Sequence, residues 1–384
     1  LGRSDDAFAE YDKLIDRYPY ELSYRIQKGD LQMKNGQIDK AKQTYDEAAK
    51  IDPDNAYVWV ALSNYFSIVG DQEEADMLVQ NALVNNNLDI QTKIDILTEY
   101  LKSTLRKVAK GKDADSLDIS LPGVDSLFIT IEQMHPTAPE VYVLHADYLA
   151  AISNDSLATV QMRFACDLRP SEKQYWEKLL SYASTQKEMD KLLRLCDEIE
   201  ALHPDMNSPY TMRAWVYYNQ KKYEDVIRAY HGALERTEAK EVNWKSTLWG
   251  NIGDTYHLLG DMEKVYESYD QALKYNDKNY VVLNNYAYFL STENRDLLKA
   301  ESMASKVIKQ YPDNATYLDT YAWILYQEGS YMLAKFYQKR AIDYCDPKED
   351  NTTLYEHWHA ILKALGEESE ETEDDENENI EVEQ

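Results

Sequence analysis

The sequence is poor in the residue types on which many enzymes and metal sites depend. Three cysteines occur among 384 residues and none forms a CxxC pair, so neither a zinc site nor a thioredoxin-type centre is indicated. Of the seven histidines, only His357 and His359 lie close together, and a spacing of two puts them on different faces of a helix. The chain lacks GxSxG, P-loop and GxGxxG motifs. We therefore predict no catalytic, cofactor-binding or metal-binding residues, and a protein that is not an enzyme.

Positive charge is also in short supply. Lysine and arginine number 41 against 69 aspartates and glutamates, which gives a formal net charge of −28. Binding to phosphate groups needs clustered basic side chains, so we expect no nucleic-acid partner. No apolar run reaches the length of a membrane span. Tyrosine is abundant (32 residues) and glycine scarce (12 residues), as expected when amphipathic helices make up nearly the whole chain.

What the sequence does have is a repeat of 34 residues. Two series of small residues follow this period: Gly2, Gly36 and Gly70, and Ala7, Ala41 and Ala75. Near the other end, Tyr280–Ile342 holds two consecutive copies of one helix–turn–helix pattern, in which Asn285–Tyr288 and Thr320–Trp323 occupy the same place. Agreement in phase at many positions is a strong indication of stacked helical repeats. Gly2 falls at the turn inside a repeat, so we expect the partner of the first helix to lie upstream of Leu1, together with any targeting signal.

The pattern resembles the tetratricopeptide repeat (TPR) family over residues 1–366. The resemblance implies an all-α fold, a right-handed superhelical α-solenoid of about nine to ten stacked helix–turn–helix repeats. The first repeat is truncated, an insertion occupies residues 102–123, and residues 352–365 form a capping helix. Residues 367–384 follow as an acidic tail, in which 11 of 18 residues are Asp or Glu. Such a segment cannot bury enough apolar surface to offset its ordering entropy, so we predict disorder.

Within each repeat, small and large residues alternate at fixed positions. Counted from the start of the first helix, positions 8, 20 and 27 are small: Ala146, Ala158 and Ala165 in one repeat, and Gly253, Val265 and Ala272 in another. Larger side chains fill positions 4, 7, 11 and 24. Positions 4, 7, 8 and 11 share one face of a helix, so we predict that they pack between helices. In the capping helix the same count assigns Tyr355, His359 and Leu362 to positions 4, 8 and 11.

Two local features allow more than one interpretation. The first insertion carries a basic run that is either a solvated helix face or a docking site for an acidic partner: Lys102, Arg106, Lys107, Lys110 and Lys112. Cys166 and Cys196 lie on second helices of adjacent repeats. We expect them to be small core residues, and a disulfide between them is left open.

The family resemblance also implies where a partner would bind, because members hold peptides or domains in a groove lined by first helices. The candidate residues, at positions 5, 9 and 12 of the last four complete repeats, are Trp215, Tyr218, Asp254, His257, Asn284, Tyr288, Asp319, Trp323 and Tyr326. Exposed Trp and Tyr side chains dominate binding hot spots. The opposing interpretation is that a tight superhelix, or the acidic tail, covers these side chains. Position 5 is never Lys or Arg, which departs from the subclass that clamps a C-terminal carboxylate.

We therefore predict a non-catalytic scaffold or adaptor that binds a partner protein or peptide. Two alternatives are a glycan- or peptidoglycan-associated module, because rows of Trp and Tyr also stack on sugars, and a regulatory arm of a multi-chain enzyme. The block Tyr317–Ala341 resembles multi-repeat TPR proteins of the bacterial envelope. That resemblance implies a periplasmic or outer-membrane-associated location.

Overall fold

A computed structural model describes residues 2–110 and 123–367. In this part of the chain there are 20 α-helices and no β-strand, which confirms the predicted all-α helical-repeat fold. None of the described helices has the length and apolar composition needed to span a bilayer. The predicted loop of the first insertion and the acidic tail beyond Glu367 lie outside the described residues. Those two predictions, and the handedness of the superhelix, stay predictions.

The chain divides into two compact units, Leu1–His203 and Pro204–Gln384. The repeat period alone predicted a single uninterrupted stack. The described helices of the first unit are α1 (Gly2–Arg17), α2 (Leu22–Lys34), α3 (Ile38–Ile51), α4 (Ala56–Val69), α5 (Gln72–Leu83), α6 (Ile90–Lys110), α7 (Val124–Met134), α8 (Pro139–Ala151), α9 (Asp155–Leu168), α10 (Lys173–Thr185) and α11 (Met189–Leu202).

The second unit holds four further helix pairs and one terminal helix. Its described helices are α12 (Ser208–Asn219), α13 (Tyr223–Arg236), α14 (Val242–Leu258), α15 (Met262–Tyr275), α16 (Tyr280–Thr292), α17 (Leu297–Gln310), α18 (Ala315–Gln327), α19 (Tyr331–Tyr344) and α20 (Thr352–Leu365). Each first helix packs on the second helix that follows it, and each second helix packs on the next first helix. The first helices α16, α18 and α20 also contact one another in sequence.

Asparagine side chains fix where several first helices begin. Oδ1 of Asn55 accepts from the backbone N–H groups of Tyr57 and Val58, and Asn279 and Asn314 cap α16 and α18 in the same way. Such a cap satisfies backbone donors that have no partner inside the helix. The caps stand at equivalent positions in the repeat, so an asparagine N-cap sets the start of each of these helices.

Small residues let the helices of a pair approach closely, as the repeat pattern predicted. A Cβ atom added to Gly253 would lie only 2.6 Å from Cε1 of Tyr269, and one added to Gly29 would lie 2.3 Å from Cε1 of Tyr45. In both pairs the glycine is at position 8 and the tyrosine at position 24. Position 27 is equally tight, because Ala272 and Ala341 are completely buried. The predicted phase of the repeats is confirmed at these positions.

The two insertions lengthen helices as well as connections. α6 has 21 residues against 13 or 14 for α2, α4 and α8, as expected of a lengthened helix. The repeat count gives a second, charged insertion at residues 236–245, and its sequence alone predicts only a longer connection. Instead α14 already begins at Val242 and reaches 17 residues, so the last inserted residues add about one turn to a first helix.

The terminal helix has the predicted bounds, but its predicted phase is wrong by one residue. The buried side chains of α20 are Leu354, His357 and Ile361, whereas Tyr355 is exposed. Hydrogen bonds to α18 and α19 explain the difference. Nδ1 of His357 lies 2.9 Å from Oδ1 of Asp319, and Nε2 of Gln338 donates to the Leu354 carbonyl at 2.8 Å.

Cys166 and Cys196 are both buried, as expected of small core residues, and no disulfide joins these two described residues. Burial raises the pKa of the Cys166 thiol to about 12. A thiol with such a pKa is almost fully protonated at neutral pH, and the thiolate is the reactive form. Cys166 therefore behaves as a packing residue.

Candidate functional site

The nine candidate residues all lie on the first helices α12, α14, α16 and α18 of the second unit. We call the surface formed by these nine residues the first-helix face. Their surroundings differ from helix to helix, and the structure separates exposed side chains from side chains that are already engaged. Which of them contact a partner stays a prediction.

On α12 the two candidate aromatic side chains are open to solvent. Trp215 is 37% exposed and Tyr218 is 52% exposed. The Tyr218 ring lies edge-to-face with the Tyr223 ring, at 6.2 Å between ring centroids. The two residues that flank Trp215 in α12, Ala214 and Val216, are completely buried. These two side chains are therefore the most accessible aromatic residues of the first-helix face.

On α14 the candidate residues support their neighbours. Asp254 accepts hydrogen bonds from the hydroxyl of Tyr269 and from Nδ2 of Asn285, the latter at 3.2 Å. Burial, together with the Asp254 charge, raises the pKa of Tyr269, so the hydroxyl keeps its proton as donor. His257 stacks on Phe289 with 4.2 Å between ring centroids. Asp254 thus positions a core tyrosine.

On α18 the aromatic residues are covered by the terminal helix. The Trp323 ring stacks against Tyr326 at 4.8 Å and against His357 of α20 at 4.0 Å. Nε1 of Trp323 is buried and has no hydrogen-bond partner among the described residues. Because His357 is held by Asp319, α20 and α18 form one packed aromatic cluster. Trp323 and Tyr326 are therefore less accessible than Trp215.

A cavity of about 510 Å³ opens beside this cluster, and we call it the carboxylate cavity. It lies between α16, α18, the α19–α20 connection and the start of α20. Three residues of the first-helix face line it, Asn284, Tyr288 and Asp319. The other acidic side chains in its wall are Asp313, Asp346, Glu349 and Asp350.

Negative charge in this wall is poorly balanced. Arg340 pairs with Asp313 at 3.6 Å. In the described ranges, no lysine or arginine forms an ion pair with Asp346, Glu349 or Asp350, and Asp319 is bound by Gln338 and His357. Burial, and then the charges of Asp319 and Glu356, raises the pKa of Tyr288. Both causes favour the neutral hydroxyl of Tyr288.

The cavity also holds an unsatisfied acceptor. Asn284 is only 5% exposed, and its Nδ2 donates weakly to Oδ1 of Asn285 at 3.4 Å. Its Oδ1 has no hydrogen-bond partner in the described part of the chain. A buried carbonyl oxygen without a donor costs about 1–3 kcal/mol. A ligand that carries N–H groups would recover part of that cost.

The acidic side chains of the cavity wall do not meet at a single point. Across residues 2–110 and 123–367, no three His, Cys, Asp or Glu side chains come close enough together to hold a metal ion. The carboxylates instead surround an open volume. That arrangement suits a cation larger than a metal ion.

Sequence reasoning found part of this site. The repeat pattern selected Asn284, Tyr288 and Asp319, because they occupy groove positions. It missed His357, which was dismissed as half of a poor metal pair, and the acidic side chains of the α19–α20 connection. The string Asp346–Asn351 was readable as an acidic turn. Its place next to Asn284, about 60 residues earlier in the sequence, depends on the path of the chain.

Comparison with known proteins finds one type of repeat in two parts of the chain. Residues 1–64 and residues 246–279 each match a family model described as tetratricopeptide repeat. No curated protein matches the sequence.

Among solved structures, a tetratricopeptide repeat protein from Parabacteroides merdae is 15% identical, with a TM-score of 0.45 and coverage of 60% of this chain and 87% of that chain. The human IFIT1 dimer with m7Gppp-AAAA is 13% identical, with a TM-score of 0.41 and coverage of 94% and 95%. Yeast Tom70 is 12% identical, with a TM-score of 0.40 and coverage of 95% and 86%. The two family matches therefore show tetratricopeptide repeats at residues 1–64 and 246–279, and the described helices form stacked helix pairs with shared packing positions.

Proposed function

We propose that the protein is a non-catalytic interaction scaffold that binds an extended segment of a partner protein along the first-helix face. The observation that carries the proposal is the pair Trp215 and Tyr218, two exposed aromatic side chains on a first helix whose neighbouring positions are buried. Large exposed aromatic side chains are costly unless they are used, and such residues dominate binding energy at interfaces.

Polar groups on the same face support this proposal. Two side-chain groups have no hydrogen-bond partner among the described residues: the amide oxygen Oδ1 of Asn284, an acceptor, and the indole N–H of Trp323, a donor. An extended peptide presents N–H and C=O groups in alternation, so it can supply both kinds of partner. The two atoms lie on neighbouring first helices, α16 and α18.

The glycan-binding alternative has weaker support. Sugars stack on open aromatic faces, and the Trp323 ring already stacks with both Tyr326 and His357. Trp215 is then the single open tryptophan of the first-helix face. A row of stacking platforms, which an extended glycan would need, is not formed by these candidates.

The test is to select peptides from a random display library against the protein and to measure their affinity by fluorescence anisotropy. Trp215→Ala and Tyr218→Ala should each weaken binding by about tenfold or more, because each removes an aromatic anchor. The free energy of unfolding should change by less than about 0.5 kcal/mol, as is usual for exposed side chains.

Phe336→Ala is the matched control, since Phe336 is 56% exposed but belongs to the second helix α19. It should leave peptide affinity unchanged. Equal losses in Trp215→Ala and Phe336→Ala, or no loss in either, would contradict binding on the first-helix face.

A further inference from the structure

We propose that the carboxylate cavity receives the guanidinium group of an arginine side chain carried by the bound segment. This inference rests on the proposed function, because the arginine belongs to a peptide lying on the first-helix face. It adds the chemical class of the partner, a segment with an exposed arginine. Three residues are shared by the cavity and that face, Asn284, Tyr288 and Asp319.

The charge of the wall selects a cation. Five carboxylates line the cavity, and among the described residues one of them, Asp313, has an arginine partner. The helices α18 and α20 begin at the cavity, and each helix start carries a partial positive charge of about half a unit. Two such starts and one arginine offset about two of the five negative charges. The excess remains negative, so an anion would be repelled.

The shape of the wall favours a guanidinium over a metal ion. Its acidic groups surround a cavity of about 510 Å³, and this volume is within the size range of pockets that hold organic groups. A guanidinium is planar, presents five N–H donors and is more weakly hydrated than an ammonium. It can therefore contact several separated acceptors at once.

The orphaned acceptor points to a donor-rich group as well. Oδ1 of Asn284 has no hydrogen-bond partner within residues 2–110 and 123–367, and the residue is more than nine-tenths buried in the cavity wall. A guanidinium N–H would complete its hydrogen bonding. Tyr288 also lines the cavity, and an aromatic ring attracts an arginine cation through its π-electrons. Charge, an unsatisfied acceptor and an aromatic wall thus agree on one type of ligand.

The experiment uses a small probe, Nα-acetyl-L-arginine N-methylamide, titrated into the full chain by isothermal calorimetry. The citrulline analogue is the matched ligand control, because it keeps the shape and loses the charge. The arginine probe should bind at millimolar concentration, and the citrulline probe should bind about tenfold more weakly or worse. The corresponding lysine probe should also bind more weakly than arginine.

The variant Glu349→Gln/Asp350→Asn removes two cavity charges on exposed side chains, and an amide oxygen at position 350 can still accept the hydrogen bonds that Thr352 donates to Asp350. It should weaken arginine binding by about fivefold or more. Glu224→Gln/Asp277→Asn removes the same charge from exposed positions outside the cavity and should change nothing. Asn284→Leu, which removes the orphaned acceptor, should also weaken binding.

Equal affinity for arginine and citrulline, absence of arginine binding, or preference for lysine would overturn the inference. Trp215→Ala separates this outcome from failure of the proposed function. It should leave binding of the arginine probe unchanged, because Trp215 is not part of the cavity wall, while it weakens binding of display-selected peptides. Loss of the arginine preference with retained peptide binding would therefore contradict the cavity assignment alone.

Discussion

Trp176→Ala should lower the free energy of unfolding by about 3–5 kcal/mol, the usual cost of removing a fully buried tryptophan. Trp176 is 1% exposed in α10, and its Nε1 donates to the Pro170 carbonyl at 2.9 Å. The Arg163 guanidinium lies 5.5 Å from the ring centroid. Alanine would leave a cavity at the junction of two repeats and remove one of the two hydrogen bonds to the Pro170 carbonyl, the other coming from Nε2 of His203. Urea denaturation followed by circular dichroism measures the loss.

Trp215→Ala is the control for this experiment, because the same substitution at an exposed position creates no cavity. We expect it to cost less than about 0.5 kcal/mol. If the two tryptophan variants lost similar stability, the distinction between the packing positions and the first-helix face would be wrong.

Ala272→Leu should destabilise the second unit by about 1–3 kcal/mol, because added methylene groups overpack a filled core. Ala272 is completely buried in a cluster that includes Tyr269 and Val282, so the longer side chain has no free space. The substitution does not reduce helix propensity much, since leucine is a good helix former. Thermal denaturation compared with the parent protein measures the effect.

Ala364→Leu is the matched control, since Ala364 is exposed on α20. It should leave the unfolding midpoint nearly unchanged. Unchanged stability in Ala272→Leu as well would show that position 27 is not a place of close helix approach.

The repeat pattern was enough to predict the helices and most of their packing. Small residues must stand where two helices approach, and Gly253 against Tyr269 shows why, since even one methyl group would collide with the ring. Such a constraint recurs in each repeat, so it leaves a periodic signal. The caps Asn279 and Asn314 repeat for the same reason.

Interactions that occur once leave no periodic signal. The pair Asp319–His357 joins residues 38 apart, and it sets the phase of α20. The repeat count assigned Tyr355 to the first packed position of α20, whereas the structure has Leu354 there. The hydrogen bonds of Gln338 and His357 fix which residue of α20 is packed first, and neither bond can be predicted from the 34-residue repeat period.

The carboxylate cavity was beyond sequence reasoning for a related reason. Its floor comes from groove positions, which the pattern identified, but Asp346, Glu349 and Asp350 come from a connection without regular structure. The path of that connection depends on side-chain hydrogen bonds such as those that Nδ2 of Asn351 donates to the Asp346 and Glu349 carbonyls. Side-chain types alone did not show that the turn faces Asn284.

The central claim is that a partner segment lies along the first helices of the second unit. Hydrogen–deuterium exchange of the protein, with and without a display-selected peptide, tests it most directly. We predict slower exchange in α12, α14, α16 and α18, with little change in the second helices α13, α15, α17 and α19. Protection confined to the second helices or to residues 2–110, with the first helices unchanged, would contradict the claim.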